Sequence, residues 1–284
     1  MTGLVVEGGA SRTYFAVGVM DAMMEAGIKV NYLGGASARI SNAMNYATGQ
    51  IGRGLIIGTT QVPKKEYSGL KHLVNPKNRS LYNIDYVFRR VPDELVPYDY
   101  DKFEKFEGVA EATVTNVDTG RAEYIKIQNP QKGWDILVAS CSLPLMFPIA
   151  TIDGKRYMDG GIADSLPFER AFEAGCDKVI VILSRERDYV KKPGGGEKLS
   201  ARIFRKYPGF SDALKNRSVM YNAQRKRLFE LEKEGRVFVI APDNTSDWKR
   251  TENRSEKIKE MYDEGMKKGS DCISRIKEFT GAEV

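Results

Sequence analysis

Leu33-Gly34-Gly35-Ala36-Ser37-Ala38-Arg39-Ile40-Ser41-Asn42 decides how this chain is read. A short apolar run over 30–33 points into two glycines, and Ser37 falls where a helix-like stretch begins. Small residues at Gly35 and Ala36 let the backbone turn sharply. A strand-to-helix elbow of this kind exposes the serine hydroxyl close to the free N–H groups of a helix start. The pattern is G-x-S-x-G with Arg39 at the last glycine. Taken alone, Gly-Ala-Ser-Ala is common in loops and fits an ordinary turn better.

Working outward, residues 3–6 read as a buried strand, followed by Glu7-Gly8-Gly9-Ala10-Ser11-Arg12-Thr13 and a helix over 14–26 that stops at Gly27. A glycine loop between strand and helix offers backbone N–H groups to an anion. It lacks the spacing of a dinucleotide loop and the lysine of a P-loop. A second strand is expected over 28–33 and a second helix over 40–48, closed by Gly49. Two such units in succession favour a parallel sheet with helices on its faces. Residues 51–98 mix basic loop with aromatic segment and give no clear element. The sole histidine, His72, lies there and reads as a surface or packing residue.

Further on, 109–116 and 122–128 look like a hairpin around Asp118-Thr119-Gly120. A helix is expected from Trp134 to Cys141, broken over 142–148. A strand pair turning at Asp153-Gly154 leads into Asp159-Gly160-Gly161. An aspartate at a strand end, released by two glycines, can aim its carboxylate across a cleft. Asp-Gly is also an everyday Asx turn. Pro167 suits a helix start, 178–183 a buried strand, and 191–198 has the composition of a mobile surface linker. A long helix (211–234), a last strand (236–241) and a C-terminal helix (254–279) complete the reading.

The chain has 284 residues, 42% of them hydrophobic. That suits one large domain over 1–284, with a helical C-terminal extension from about residue 199. The first strand leaves no room for a signal peptide, and no apolar run is long enough to span a bilayer. Three widely spaced cysteines suit reduced thiols, so a cytoplasmic location is expected. The net charge of +6 is uneven: 185–227 carries thirteen Lys/Arg against four Asp/Glu. Such a tract meets phosphate on nucleic acid or anionic lipid, or is simply a solvated helix face. No recognition-helix, zinc-finger or RNP pattern favours nucleic acid. No Cys/His cluster suggests a metal, and no cofactor is expected.

Glycine loop, serine elbow and downstream Asp-Gly-Gly, in that order, resemble the patatin-like phospholipase family. The similarity runs through 142–148 and 157–167 and across most of the chain. The resemblance implies a three-layer α/β/α fold with a mainly parallel central sheet, and a Ser–Asp dyad that hydrolyses lipid esters without histidine. Carried over by position, Ser37 is the nucleophile and Asp159 the base. Gly8, Gly9 and Ala10 supply oxyanion-hole N–H groups, with Arg12 in the same loop. Gly35, Ala36, Ala38, Arg39, Gly160 and Gly161 complete the motifs. Lipid or ester would be the substrate, with peripheral contact to an anionic membrane.

The residue chemistry agrees with this. Ester hydrolysis needs an activated hydroxyl, a proton acceptor, and donors where charge develops on the carbonyl oxygen. With a single histidine, a Ser-His-Asp triad would have to recruit His72. Three positions depart from the family pattern. Ala10 keeps its N–H aimed if its φ is negative, and Thr13 is tolerable if the helix has begun there. Arg39 has two readings. Its Cβ strains the turn and its charge opposes the helix dipole, impairing catalysis; or its guanidinium favours the alkoxide or holds an anionic headgroup. A catalytically inactive lipid-binding protein on the same fold is therefore the alternative, with a nucleotide-binding protein a distant third.

Overall fold

A computed structural model describes residues 1–76, 78–128 and 130–281; Lys77, Asn129 and 282–284 lie outside the described residues. In chain order the strands are β1 (Thr2–Val6), β2 (Tyr32–Ala36), β3 (Val109–Asn116), β4 (Ala122–Lys126), β5 (Ala150–Ile152), β6 (Lys155–Asp159), β7 (Lys178–Ile182) and β8 (Val237–Ile240). The main helices are α1 (Thr13–Glu25), α2 (Ala38–Thr48), α3 (Arg53–Thr60), α4 (Leu70–Leu73), α5 (Tyr100–Glu104), α6 (Pro130–Cys141), α7 (Phe168–Glu173), α8 (Gly195–Ile203), α9 (Pro208–Lys233) and α10 (Ser255–Thr280). β3, β2, β1, β7 and β8 run parallel in that order, while β4, β6 and β5 are antiparallel additions around β3.

Strand alternation divides the core into two layers. Leu4, Val6, Ile180, Ile182, Phe238 and Ile240 face α1, α2 and α10. Val5, Val179, Val181, Val237 and Val239 face α7 and α9 on the other side. A side chain of this size contributes about 1.5–3 kcal/mol when fully buried, so both faces need a helical cover. α10 lies against α1 so closely that a Cβ on Gly18 or Gly265 would strike the backbone of the other helix. Among the described residues no helix is long and apolar enough to cross a membrane.

Three expectations change. The strand expected over 28–33 is Tyr32–Ala36. Gly27 adopts φ 70° and the Ile28 N–H bonds back to the Met23 carbonyl, so 28–31 is the exit from α1; pairing with β1 then begins at Tyr32. Residues 191–198 are not a free linker: the Lys191 N–H and carbonyl both bond the Asn222 side chain, at 2.9 and 3.0 Å, and α8 starts at Gly195. Residues 51–98 fold as α3, α4 and an irregular helix, Tyr86–Leu95, interrupted by Pro92. His72 is buried, with Nε2 3.1 Å from the Lys65 carbonyl oxygen.

Candidate active site

The sheet brings Ser37 and Asp159 together through a shared strand edge. β4 covers one edge of β3 from Glu111 to Thr115. On the other edge β2 pairs in parallel up to Ala36 opposite Thr113, and β6 pairs antiparallel down to Asp159 opposite Val114. The two strands therefore meet end to end. β2 leaves the sheet at Ser37 and β6 leaves it at Asp159. A Cβ on Gly160 would collide with the Thr113 carbonyl at this junction, which explains the glycine after the aspartate.

Ser37 has φ 65° and ψ −152°, a region nearly reserved for glycine, at a cost of about 1–3 kcal/mol. The elbow is held by Ser140, whose Oγ accepts the Ser37 N–H at 3.0 Å and donates to the Thr113 carbonyl at 2.8 Å. Asp159 Oδ1 accepts the Gly161 N–H at 2.8 Å, so the Asx turn is present. Oδ2 is buried and has no hydrogen-bond partner among the described residues. The Ser37 hydroxyl faces the carboxylate closely enough to favour its charged form without the geometry of a formed hydrogen bond. Burial raises the Asp159 pKa above the usual carboxylate value; Arg217, the Ser37 hydroxyl and the Gly161 N–H oppose that rise.

The glycine loop lies alongside. The N–H groups of Gly8, Gly9 and Ala10 donate no hydrogen bond among the described residues. Ala10 has φ 48°, not the negative value expected, so it holds a left-handed conformation despite its Cβ. Thr13 is the first residue of α1, as the sequence requires. Arg12 donates from Nε and Nη2 to the Trp248 carbonyl, and the Ser11 N–H bonds the Arg250 carbonyl. The loop is thus fastened to the C-terminal segment.

Arg39 is fully buried. Its guanidinium packs beneath the loop, where a Cβ on Gly9 would strike it. Its three nitrogens have no hydrogen-bond partner among the described residues. Burial lowers its pKa to about 10, against the favourable charge of Glu7. Glu7, also buried, accepts hydrogen bonds from the Tyr221 hydroxyl and, at 2.5 Å, from the Ser184 N–H.

Two cavities open on either side of Ser37, and Ala10 and Leu143 also line both. One, of about 150 Å³, is walled by Val62, Leu81, Tyr82, Val87, Phe88 and Phe147. The other, of about 190 Å³, contains Asp159 and is rimmed by Arg12, Arg185, Lys191, Arg217 and Arg250. Beyond the motif residues of the glycine loop, the elbow and the Asp-Gly-Gly, sequence reasoning missed the lining of both. The tract over 185–227 signalled Arg185, Lys191 and Arg217; Arg250 had no local signal. Cys141 was missed too. It lies near Ser37, and burial pushes its pKa up to about 12, ahead of the smaller effect of the Asp159 charge, so it stays a thiol. Among the described residues no cluster of His, Cys, Asp and Glu could hold a metal ion.

A parallel sheet whose serine elbow and strand-end aspartate share a cavity defines the class. The patatin-like phospholipase family model matches residues 4–172, and the chain belongs to that family. Residues 207–281 match a domain of unknown function, DUF6363. The chain is 25% identical over 194 residues to the uncharacterized protein YjjU of Escherichia coli, covering 63% of this chain and 50% of that protein. It is 26% identical over 206 residues to lysophospholipase NTE1 of Coccidioides immitis, covering 70% of this chain and 12% of that protein. It thus spans half or less of the relatives it matches. Among solved structures it is similar to VipD from Legionella pneumophila, with a TM-score of 0.43 and 13% identity over 95% of this chain and 67% of that one.

Proposed function

We propose that the chain is a serine-dependent lipid acyl hydrolase with Ser37 as nucleophile and Asp159 as base. Membership of a phospholipase family supports lipid hydrolysis at the family level. The end-to-end meeting of β2 and β6 carries the finer assignment, because it leaves one buried, unpartnered carboxylate oxygen facing the elbow hydroxyl. As Ser37 Oγ attacks the ester carbonyl, Asp159 Oδ2 takes its proton. The N–H groups of Gly8 and Gly9 receive the charge that develops on the carbonyl oxygen, while Ala10, at φ 48°, does not meet the condition set for its N–H. Asp159 returns the proton to the leaving alcohol, and water repeats the sequence on the acyl-serine.

Arg39 fits this scheme because its charge lies under the oxyanion loop and not in the substrate path. The segment from residue 199 onward is read as part of the same domain, since it contributes β8 to the sheet and α10 to the core. Three free, buried cysteines favour the cytoplasm. The second reading, an inactive protein that binds anionic lipid, draws on the cationic cavity alone. Labelling with a fluorophosphonate probe separates the two. A covalent adduct lost in Ser37→Ala is expected; an unlabelled wild-type chain would refute the hydrolase.

A further inference from the structure

Four of the five cations that rim this cavity lie outside the patatin-family match. Arg185 and Lys191 lie between the two matched regions, and Arg217 and Arg250 fall within the match of unknown function. Arg12 alone comes from the glycine loop. Among the described residues Glu197 is the one carboxylate that pairs with any of these five cations, at 3.6 Å from Lys191 Nζ and 3.8 Å from Arg217 Nη1. Arg12 and Arg185 direct N–H groups to neutral acceptors, the Trp248 carbonyl and Thr245. Arg250 is exposed, and its side chain has no partner among the described residues. Glu7 also lines the space, but both its oxygens are engaged and it faces Arg39. Burial and mutual repulsion both act on the cations: Arg185 and Arg250 weaken the proton affinity of Arg12, and Arg217 and Arg250 that of Lys191, in each case behind burial. Against this, Asp159 favours the charged form of Arg217, Glu186 that of Arg12, and Glu197 and Glu7 that of Lys191.

An assembly of like charges around an open space is stabilised by an anion within it. At about 190 Å³ the space far exceeds the ~10–15 Å³ that one water needs. Its position is equally telling. Arg217 Nε donates to the Gly161 carbonyl at 2.7 Å, which fixes a guanidinium beside Asp159. An ester held at Ser37 with its acyl chain in the apolar cavity has its alcohol portion on this side. A quaternary ammonium would need an anion or an open aromatic face. Here Arg185 covers Tyr189 at 4.3 Å, and Lys191 lies 5.5 Å from the Tyr221 ring centre.

We propose that this cavity is the headgroup subsite, and that it selects acyl esters whose alcohol portion carries a net anionic phosphate over neutral or zwitterionic ones. This deepens the hydrolase reading and rests on it. The turnover arm compares monoacylglycerol 3-phosphate with monoacylglycerol of the same chain length. The binding arm titrates glycerol 3-phosphate and inorganic phosphate into Ser37→Ala by calorimetry.

The phosphate ester is expected to be preferred about tenfold or more, in line with charge-assisted hydrogen bonds. The double variant Lys191→Gln/Arg250→Gln loses that preference and the glycerol 3-phosphate heat. Arg250→Lys retains both, and Lys226→Gln on the outer face of α9 changes neither. No preference in the wild type, or a preference that survives the double variant, overturns the proposal. Inorganic phosphate binding as tightly as glycerol 3-phosphate, without a preference in turnover, makes this a free-anion site and also overturns it. If neither ester is turned over but glycerol 3-phosphate binds and the double variant abolishes binding, the subsite stands and the hydrolase fails.

Discussion

The two cavities that meet at Ser37 share part of their lining but draw their distinguishing side chains from different parts of the chain. The large apolar side chains of one lie mainly within 62–147, and four of the five cations of the other lie within 185–250. Ser37, just past the end of β2, and Asp159, at the end of β6, stand where the two join. On the proposed reading, the contrast teaches that the sheet sets the chemistry while its coverings set the substrate. The elbow and strand-end aspartate are fixed by β3 pairing, which no covering loop can alter. Each cavity depends on side chains that could change without disturbing that pairing.

The comparison breaks first at the shared carboxylate. Asp159→Asn keeps an oxygen for the Gly161 N–H and so keeps the turn, but removes the proposed base. Ester turnover is expected to fall about 10²–10⁴-fold with the melting temperature nearly unchanged. A variant as active as wild type would free the chemistry from the junction. The same residue sets a pH limb. Burial raises its pKa, so turnover is absent at low pH and rises as the pH passes through a value above the usual carboxylate range. A profile flat from pH 4 upward contradicts that assignment.

A smaller effect is expected under the loop. Arg39→Met leaves Glu7 buried without its opposing charge and lowers the melting temperature. Glu7→Gln in the same chain restores part of the loss, with a coupling of about 0.5–3 kcal/mol by double-mutant cycle. Additive effects would mean that the two charges ignore one another.

On the apolar side, Leu81→Trp fills the cavity. It is expected to cut kcat/KM for long-chain esters about tenfold relative to butyrate esters. An equal loss for both chain lengths would place the acyl chain elsewhere.

The smallest effect concerns Lys191. Burial, then Arg217 and Arg250, lower its pKa to about 8, while Glu197 and Glu7 oppose this; Tyr221 is the aromatic face beside it. Preference for the phosphate ester should therefore decline as pH rises through that region and the ammonium loses its charge. A preference constant from pH 7 to 9 removes Lys191 from the subsite.

Much of this was legible in sequence where a local pattern controls geometry. Gly35 and Ala36 announced the elbow, Gly160 and Gly161 the strand-end aspartate, and Gly49 the end of α2. What was not legible depends on distant pairing. That Ser37 meets Asp159 end to end follows from β2 and β6 sharing one edge of β3, which no residue in either strand encodes. Arg39 left two readings open because its burial beneath the glycine loop is set by the fold and not by its neighbours in sequence. Lys191 looked like part of a linker because its anchor, Asn222, lies 31 residues away. Arg250 is a lone arginine in an irregular segment, and only folding places it beside Arg12 and Arg217.

Hydrolysis of para-nitrophenyl butyrate by the wild-type chain and by Ser37→Ala, each shown to be folded by its melting temperature, tests the central claim most directly. The account predicts turnover by the wild type and background rates for the variant. A wild-type rate at background, or a rate that Ser37→Ala leaves intact, would contradict it.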